Sequence, residues 1–306
     1  MTTWSGRAPL VCAVVINWNR PRETAECLRS LVRQTHRALA VVVVDNGSED
    51  DSAERIGREF PGVELLRNPV NRGFGAAANQ GIARARALGA SHVFLLNNDA
   101  TVTPDTIERL LETASRPGVG AVAPLVLFPG AGERIWSAGA RRNRTTLGNM
   151  DTRHGRPWRA AWPRLLARDY LYGCALLMDL RALAAAGVFD ERFFMYFEDM
   201  DLCLRFQAAG FSLWVDSAGC ARHAGAASSG GRGTVMERYW SARSSVLFFR
   251  KNARGAQWLA IVPWRLFSAA RIMACLVLAG RPRAAAAYVR GLRDGFRAKG
   301  PPGREV

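Results

Sequence analysis

Short, continuously apolar segments alternate with helix-like segments along the first 128 residues, and this alternation limits the possible fold more than any other feature. Segments of four to nine apolar residues have the character of buried strands. Strands that are apolar throughout are covered on both faces, so the pattern predicts an α/β fold with a mainly parallel sheet and helices on both faces. The predicted strands are 10–16, 40–44, 63–66, 93–96 and 119–127, and the predicted helices between them are 23–32, 52–60, 75–88 and 104–114.

Beyond these elements the pattern is less regular. Residues 130–168 are rich in Gly, Arg and Trp with weak periodicity, which indicates an irregular excursion over the site. An apolar segment, 170–178, then returns to the sheet, and a helix over 199–209 and a strand over 211–215 follow.

Polar side chains follow three of the predicted strands at the point where each strand ends. Asn17 follows the first strand, Asp45 the second, and Asn97, Asn98 and Asp99 the fourth. Open parallel sheets bind their ligands just beyond the carboxyl ends of the strands. We therefore expect these side chains to share one site at one edge of the sheet.

Two of these strand ends suggest particular ligands. A carboxylate at Asp99, two residues after the amide of Asn97, suits Mg²⁺ or Mn²⁺ bridging two phosphates. Asp45 could accept a hydrogen bond from the ring N–H of uracil or thymine. Ordinary turns are the alternative at both places, because Asn, Asp and Gly favour turns.

The stretch from Asn71 through Gly73 to Gly75 precedes an alanine-rich helix. Its glycines allow the backbone to approach a ligand closely, and a helix start favours an anion. A dinucleotide-binding motif would need its glycines after the first strand and a third glycine where this chain has Ala78. The sequence therefore disfavours a dehydrogenase.

Three carboxylates, Glu198, Asp199 and Asp201, open a predicted helix after the bulky run 193–197. They could simply complement the helix dipole, or partial burial could raise a pKa towards the range of a general base. Glu198 and Asp201 are three residues apart and share a helix face, so Asp199 points elsewhere. His223, in a predicted loop of small residues, is an ordinary loop histidine, a metal ligand or a phosphate contact.

Together these segments resemble glycosyltransferase family 2, the inverting enzymes with the GT-A fold. They are most similar to the rhamnosyltransferase-like branch of bacterial polysaccharide assembly. The match covers about residues 10–225 in the order of the family. The segments that carry it are 14–19, 44–48, 71–75 with Asn79, 96–99, 173–175, 187–194, 197–205 and His223.

The resemblance implies a role for each matching residue. Asp199 would be the base that deprotonates the acceptor hydroxyl. Asp99 would bind Mg²⁺ or Mn²⁺ at the place of the family's DxD motif, whose first carboxylate is Asn97 here, and His223 would be a further metal ligand. Glu198 and Asp201 would lie on the acceptor side or support the site. The implied donor-binding residues are Asn17, Asp45, Asn71, Gly73, Asn79 and Asn98.

The implied activity is a metal-dependent, inverting transfer of a sugar such as rhamnose. The donor would be a dTDP- or UDP-sugar, because uracil and thymine present the same ring N–H to Asp45. The acceptor would be a hydroxyl of a glycan, or of a polyprenyl-diphosphate-linked glycan, in the synthesis of a bacterial cell-surface polysaccharide. An inactive sugar-nucleotide-binding or scaffolding protein of the same fold is the alternative, which the presence of both Asp99 and Asp199 disfavours.

The C-terminal residues 232–306 hold fifteen Lys and Arg against three Asp and Glu, a net charge of +12 out of +16 for the chain. Within them an apolar run containing Trp258 and Trp264 is interrupted by Arg265 and Arg271. A central arginine costs a spanning helix about 2.5–3.5 kcal/mol. The pattern therefore favours a helix lying on an anionic membrane surface, with a soluble helical subdomain that packs on the catalytic domain as the alternative.

These features predict a GT-A catalytic domain over 1–231 and a basic, amphipathic, membrane-associating helical region over 232–306. The nucleotide-binding half would be about 8–128 and the acceptor half about 129–231. The six scattered cysteines and the lack of a visible secretory signal predict a cytoplasmic protein, peripheral on the inner face of the plasma membrane. No nucleic-acid partner is expected, because the basic residues flank apolar runs and form no binding motif.

Overall fold

A computed structural model describes residues 8–130, 132–151, 153–223, 233–298 and 300 of the chain. In these residues strands and helices alternate through the first half, as predicted. The strands are β1 Val11–Asn17, β2 Leu39–Asp45, β3 Glu64–Arg67, β4 His92–Asn97, β5 Ala100–Val102, β6 Val119–Leu127, β7 Ile135–Ser137, β8 Arg141–Arg142, β9 Asn149–Met150, β10 Leu165–Arg168, β11 Ala175–Asp179 and β12 Ser212–His223. The helices are α1 Pro21–Val32, α2 Ser52–Glu59, α3 Phe74–Ala87, α4 Thr106–Ala114, α5 Leu180–Ala186, α6 Glu198–Ala208, α7 Val235–Asn252, α8 Gln257–Leu278 and α9 Pro282–Arg297.

Ten of the described strands form one sheet, with the order β10-β12-β6-β11-β4-β1-β2-β3 and with β5 beside β12 and β7 beside β6. Strands β4, β1, β2 and β3 pair in that order and are parallel to one another, β11 runs antiparallel between β4 and β6, and β12 runs parallel to β6. The predicted α/β fold with a mainly parallel sheet is confirmed.

Helices cover both faces of this sheet because successive residues of a strand point to opposite sides. On β1, Val14 belongs to the core that includes Ala78 and Ile82 of α3, whereas Val15 belongs to the core that includes Leu28 of α1 and Leu110 of α4. A strand covered in this way is apolar throughout, which is why the sequence pattern of strands such as β1 is continuous rather than alternating.

The strand register brings the predicted polar residues to one edge. Asn17 lies opposite Asp45 on the neighbouring strand, and Ile16 lies opposite Asn97 on the other side. The carboxyl ends of β1, β2 and β4 therefore end side by side, as the sequence predicted.

The last strand differs from its prediction. The predicted strand 211–215 is the beginning of β12, which continues to His223 after a register shift between Asp216 and Cys220. His223 thus ends a strand and does not lie in a loop. The final residues of β12 pair with β5, a short strand that the sequence pattern did not reveal.

The boundary predicted at 231/232 lies outside the described residues. Beyond it, α7 contributes Leu247 and Phe248 to the same core as the sheet, and Trp240 stacks on Phe194 with ring centroids 4.2 Å apart. Helix α8 is the one helix of the described residues that is long and apolar enough to cross a membrane, and 11% of its most apolar window is buried.

Candidate active site

A buried group of polar side chains lies where β1 and β2 end. Asn17 Nδ2 donates to Asp45 Oδ1 at 2.7 Å and to Ser48 Oγ at 3.0 Å. Thr24 Oγ1 donates to Asn17 Oδ1 at 2.7 Å, and Asn98 Nδ2 donates to Thr24 Oγ1 at 3.1 Å. A buried polar network with its bonds satisfied is rigid, so the Asp45 carboxylate has a fixed position at the sheet edge.

The loop before α3 is attached to this edge by Asn46. Its Nδ2 donates to Asn71 Oδ1 at 3.0 Å and to the Gly73 carbonyl at 3.2 Å, and its Oδ1 accepts from the Arg72 N–H. Gly73 has φ +84°, and a Cβ there would lie 2.6 Å from the Phe194 carbonyl oxygen. Its ψ of 167° places Gly73 in a region that essentially only glycine occupies, and only glycine leaves room for this approach.

Asp99 and His223 are brought together by the pairing of β5 with β12, which sets His223 opposite Ala100. Asp99 Oδ1 lies 3.0 Å from His223 Nε2, and both side chains are at least 95% buried. Asn97 Nδ2 lies 3.3 Å from the same ring nitrogen, and Trp136 packs edge-on against the imidazole at 4.5 Å between centroids. The structure thus unites the two predicted metal ligands.

These residues fit a divalent cation. The Asp99 Oδ1 and His223 Nε2 atoms are within ion-pair distance of each other. Asp99 Oδ1 is buried and accepts no hydrogen bond from the described residues, and the other ring nitrogen of His223, Nδ1, has no hydrogen-bond partner among them either. Adjacent ligands of an octahedral ion with 2.0–2.1 Å bonds stand about 3 Å apart. No group of three His, Cys, Asp or Glu residues suited to a metal occurs in the described ranges, so the rest of the shell would come from phosphate and water.

Asp199 and Glu198, in the first turn of α6, have different surroundings. Asp199 Oδ2 accepts from the Gly173 N–H at 3.1 Å and Oδ1 from the Met200 N–H at 2.7 Å. Burial raises the pKa of Asp199, and these bonds oppose that rise. Glu198 Oε2 is buried and has no hydrogen-bond partner in the described part of the chain, and burial together with the Asp199 charge holds the Glu198 pKa well above its usual range. Of the two, Asp199 is the carboxyl group suited to carry the charge.

The residues before β11 connect this carboxylate to the metal-binding pair. The Gly173 N–H donates to Asp199, and the carbonyl of the next residue, Cys174, accepts from the Asn97 N–H at 2.9 Å. Asp99 follows Asn97 by two residues. The candidate base and the candidate metal ligands therefore belong to one connected site.

Backbone strain precedes the first turn of α6. Tyr196 and Phe197 both have positive φ, at 70° and 68°. A residue other than glycine held in this region costs about 1–3 kcal/mol and persists only where its surroundings enforce it. The strained pair sets the direction in which the chain enters α6, and with it the place of Asp199.

Two predicted residues lie in other contacts. Asn79 Nδ2 donates to the Phe189 carbonyl at 2.9 Å and to Glu191 Oε1 at 3.0 Å. Asp201, fully buried, accepts from Lys251 Nζ on α7 at 2.9 Å. Both side chains hold protein segments together in this structure, and neither belongs to the polar groups at the strand ends.

Four residues that build these groups were missing from the predicted site. Thr24 is buried on the inner face of α1, and this polar position among apolar ones was a readable signal. Asn46 and Ser48 lie in the segment that begins at Asp45, where they are also typical residues of an ordinary turn. Trp136 lies in the irregular middle of the chain, where no pattern pointed to His223.

Comparison with known proteins agrees with the geometry. Residues 12–172 match the family model described as Glycosyl transferase family 2. The N-acetylglucosaminyl-diphospho-decaprenol L-rhamnosyltransferase of Mycobacterium tuberculosis (strain ATCC 25618 / H37Rv) is 31% identical over 260 residues, which are 78% of this chain and 83% of that protein.

Two solved structures share the fold. The mannosyltransferase PcManGT from Pyrobaculum calidifontis, solved with GDP-Man and Mn²⁺, has a TM-score of 0.57 and 20% identity and covers 95% of this chain and 81% of its own. GalNAc-T7, solved with UDP, GalNAc and Mn²⁺, has a TM-score of 0.60 and 14% identity and covers 79% of this chain and 50% of its own. At these identities the likeness is one of fold.

Proposed function

The chain belongs to glycosyl transferase family 2, and from this premise we propose that it transfers a sugar such as rhamnose from a dTDP- or UDP-sugar to a lipid-linked glycan. It is a glycosyltransferase of the GT-A fold. The observation that carries the finer proposal is that a buried carboxylate, Asp199, is connected through Gly173 and Cys174 to the strand end that holds Asp99. The name of the mycobacterial relative, a rhamnosyltransferase acting on a lipid-linked N-acetylglucosamine, supports the choice of sugar and acceptor.

Asp99 and His223 would hold Mg²⁺ or Mn²⁺ in this proposal. Such an ion, when bound, neutralises charge on the departing nucleoside diphosphate. Their positions favour this role, because Asp99 Oδ1 and His223 Nε2 lie 3.0 Å apart in the protein interior and direct an oxygen and a ring nitrogen to one point. Trp136 fixes the plane of the imidazole through its edge-on contact.

Asp199 accepts the proton of the acceptor hydroxyl as its oxygen attacks the anomeric carbon. The new carbon–oxygen bond forms while the bond from that carbon to the diphosphate oxygen breaks, and a single displacement inverts the carbon. No protein nucleophile is required. Burial and the charge of Asp199 raise the pKa of Glu198, because two adjacent buried carboxylates do not both ionise readily.

The donor occupies the edge formed by β1, β2 and the loop before α3. Asp45 accepts from the ring N–H of uracil or thymine. Asn17 donates to the Asp45 carboxylate and keeps it in place, and Asn98 in turn donates to Asn17. The backbone at Asn71 and Gly73 closes the donor site. Asn79, the remaining predicted donor residue, supports the site through its bonds to residue 189; Glu198 and Asp201 support it from α6.

Membrane association is the final part of the proposal. Helix α8 exposes large apolar side chains such as Leu259, Leu266 and Phe267, which are 67–82% exposed. Arg265 Nη2 donates to Ser245 Oγ on α7 at 2.7 Å, so the middle of α8 is attached to the protein. We place this helix on the inner face of the plasma membrane, where its apolar face enters the lipid and the active site reaches a polyprenyl-linked acceptor.

A transfer assay tests the proposed reaction. The purified protein is incubated with dTDP-rhamnose or a UDP-sugar, Mn²⁺ or Mg²⁺, and a short-chain polyprenyl-diphosphate N-acetylglucosamine, and the product is analysed by mass spectrometry and NMR. We expect one added sugar with an inverted anomeric carbon. Donor binding without any product, equal in the parent and in Asp199→Asn, would instead support the inactive sugar-nucleotide-binding alternative.

A further inference from the structure

Helix α7, which follows the candidate site segments in sequence, is joined to them by a partly buried charge cluster. Lys251 Nζ donates to Asp190 Oδ2 at 2.7 Å and to Asp201 Oδ2 at 2.9 Å. Asn252 Nδ2 donates to the other Asp201 oxygen at 3.1 Å. Asp190 lies in residues 187–197, the junction segment between α5 and α6, and Asp201 lies in the first turn of α6. The Lys251 ammonium group therefore joins Asp190, which precedes Asp199 in the chain, to Asp201, which follows it.

Other residues of α7 hold the junction segment along its length. Ser244 Oγ donates to the Met195 carbonyl at 2.7 Å, and Arg243 Nη1 donates to the Arg192 carbonyl at 2.8 Å. These bonds are to the backbone, so they restrain the path of the chain and not only its side chains. The strained residues that precede α6 follow Met195 directly.

The junction segment also contacts the donor side of the site. The Phe194 carbonyl accepts from the Phe74 N–H at 2.8 Å, directly after Gly73. Phe189 exchanges two hydrogen bonds with Asn79, through its carbonyl at 2.9 Å and its N–H at 3.0 Å. A displacement of this segment would therefore be felt on both the donor side and the base side.

We propose that Lys251 is a positioning residue of the transfer reaction, which sets the place of Asp199 by holding Asp190 and Asp201 together. The proposal rests on the function argued above. Without the ammonium, the two carboxylates lose the cation they share, and nothing else on α7 but Asn252 bonds to the Asp201 carboxylate in the described contacts. The junction can then relax its positive-φ residues, and Asp199, two residues before Asp201, moves with it.

The test compares three variants of the full chain. Lys251→Met removes the ammonium but keeps the length of the side chain, and Lys251→Arg keeps a cation. The matched control is Arg250→Met, since the neighbouring Arg250 donates to the carbonyls of Gly295 and Phe296 on α9 and not to the junction segment.

We expect Lys251→Met to lower kcat about 10²-fold, the loss typical of a misplacement of about 1 Å, with the donor KM changed much less. The acidic limb of the kcat–pH profile should also move, because the surroundings of Asp199 change. Lys251→Arg should recover most of kcat, and Arg250→Met should match the parent. A merely structural role would lower the amount of folded protein and leave the pH profile of the folded fraction unchanged.

Two outcomes overturn the proposal, and they differ from failure of the proposed function. A parent that forms no product refutes the function and the positioning role together. An active parent whose Lys251→Met variant has the kcat and pH profile of Arg250→Met refutes the positioning role alone. If Lys251→Met does not fold, Ser244→Ala takes its place: a smaller fall in kcat with the same pH shift supports the proposal, and parent-like values overturn it.

Discussion

Glu198 and Asp199 are neighbours in sequence, yet their surroundings favour different charge states. Asp199 receives two backbone N–H donors, whereas Glu198 Oε2 receives none among the described residues. Hydrogen bonds to a carboxylate stabilise its ionised form, and burial without them favours the neutral form. The two residues are therefore suited to different tasks, although in the sequence both are simply acidic residues of one cluster.

The first prediction concerns the base. Asp199→Asn should lower kcat by about 10²–10⁴-fold, the usual contribution of a general base, and leave donor affinity near that of the parent. Steady-state transfer kinetics and calorimetric nucleotide binding measure the two effects. If Glu198→Gln proves the more damaging change and Asp199→Asn is mild, the base is the other carboxylate.

The second prediction concerns the stability cost of Glu198. Its pKa in the folded protein is raised well above the ordinary 4.5, so its contribution to stability is present at low pH and is lost as pH rises towards the raised pKa. In that window the parent loses about 1.4 kcal/mol of unfolding free energy per pH unit from this group. In urea denaturation, the free energy of unfolding of Glu198→Gln should rise relative to that of the parent between pH 5 and pH 8. An equal difference in unfolding free energy between the two proteins at both pH values would contradict this.

Among the elements, β12 shows where sequence reasoning stopped. Its first half, predicted as 211–215, is apolar, but its second half contains Gly219 and small residues that have no strand pattern. That half is held as a strand by pairing with β5 and β6, a tertiary effect that no local signal reports. The continuous strands of the first half were predicted to within one residue at each end, and β6 over Val119–Leu127 with its exact bounds, because burial on both faces makes a strand apolar throughout.

The third prediction concerns the link between α6 and α7. Asp201 is fully buried and accepts from both Arg205 and Lys251. Asp201→Asn leaves these cations without their shared carboxylate, so we expect a loss of about 3–5 kcal/mol in unfolding free energy by urea denaturation. Glu54→Gln, which removes an exposed ion pair with Arg67, is the control and should leave the midpoint nearly unchanged. Equal shifts for the two variants would show that the buried link does not stabilise the protein.

Across the whole chain, charge and apolar exposure coincide in the C-terminal region. Residues 232–306 carry +12 of the +16 net charge, and α8 exposes its apolar side chains beside them. The sequence predicted this combination and left a helical subdomain packed on the catalytic domain as the alternative, and α7 does contribute to the core of the sheet. The apolar residues of α7 have the same composition in either setting, and only the folded structure separates a core helix from a surface one.

The fourth prediction concerns membrane binding. Each basic residue near an anionic surface contributes about 1 kcal/mol, and the apolar face adds a term that salt does not screen. The parent should float with anionic liposomes, more weakly at high salt but still measurably. The double variant Leu266→Glu with Phe267→Glu should lose flotation, whereas Val32→Glu, at an exposed apolar position on α1, should retain it. Flotation of the double variant like the parent would refute the role of α8, and resistance to carbonate extraction would indicate a spanning helix.

The sequence predicted the part of the candidate site that is formed by residues at the ends of strands. Asn17, Asp45 and Asp99 could be placed together because parallel strands end at one edge. Their partner His223 came from the family resemblance, since its approach depends on the β5–β12 pairing. The contact of Asp201 with α7 was not predicted, because it joins residues 50 positions apart without any shared pattern.

The fifth prediction tests the central claim, that this site activates a nucleotide sugar through a divalent cation. Donor hydrolysis needs no acceptor, so nucleotide release is measured across UDP-, dTDP- and GDP-sugars with Mn²⁺, Mg²⁺ or EDTA, for the parent and for Asp99→Ala. We expect release from a pyrimidine nucleotide sugar with metal, and its loss both in EDTA and in Asp99→Ala. Full turnover in EDTA, or an Asp99→Ala variant as active as the parent, would contradict the account.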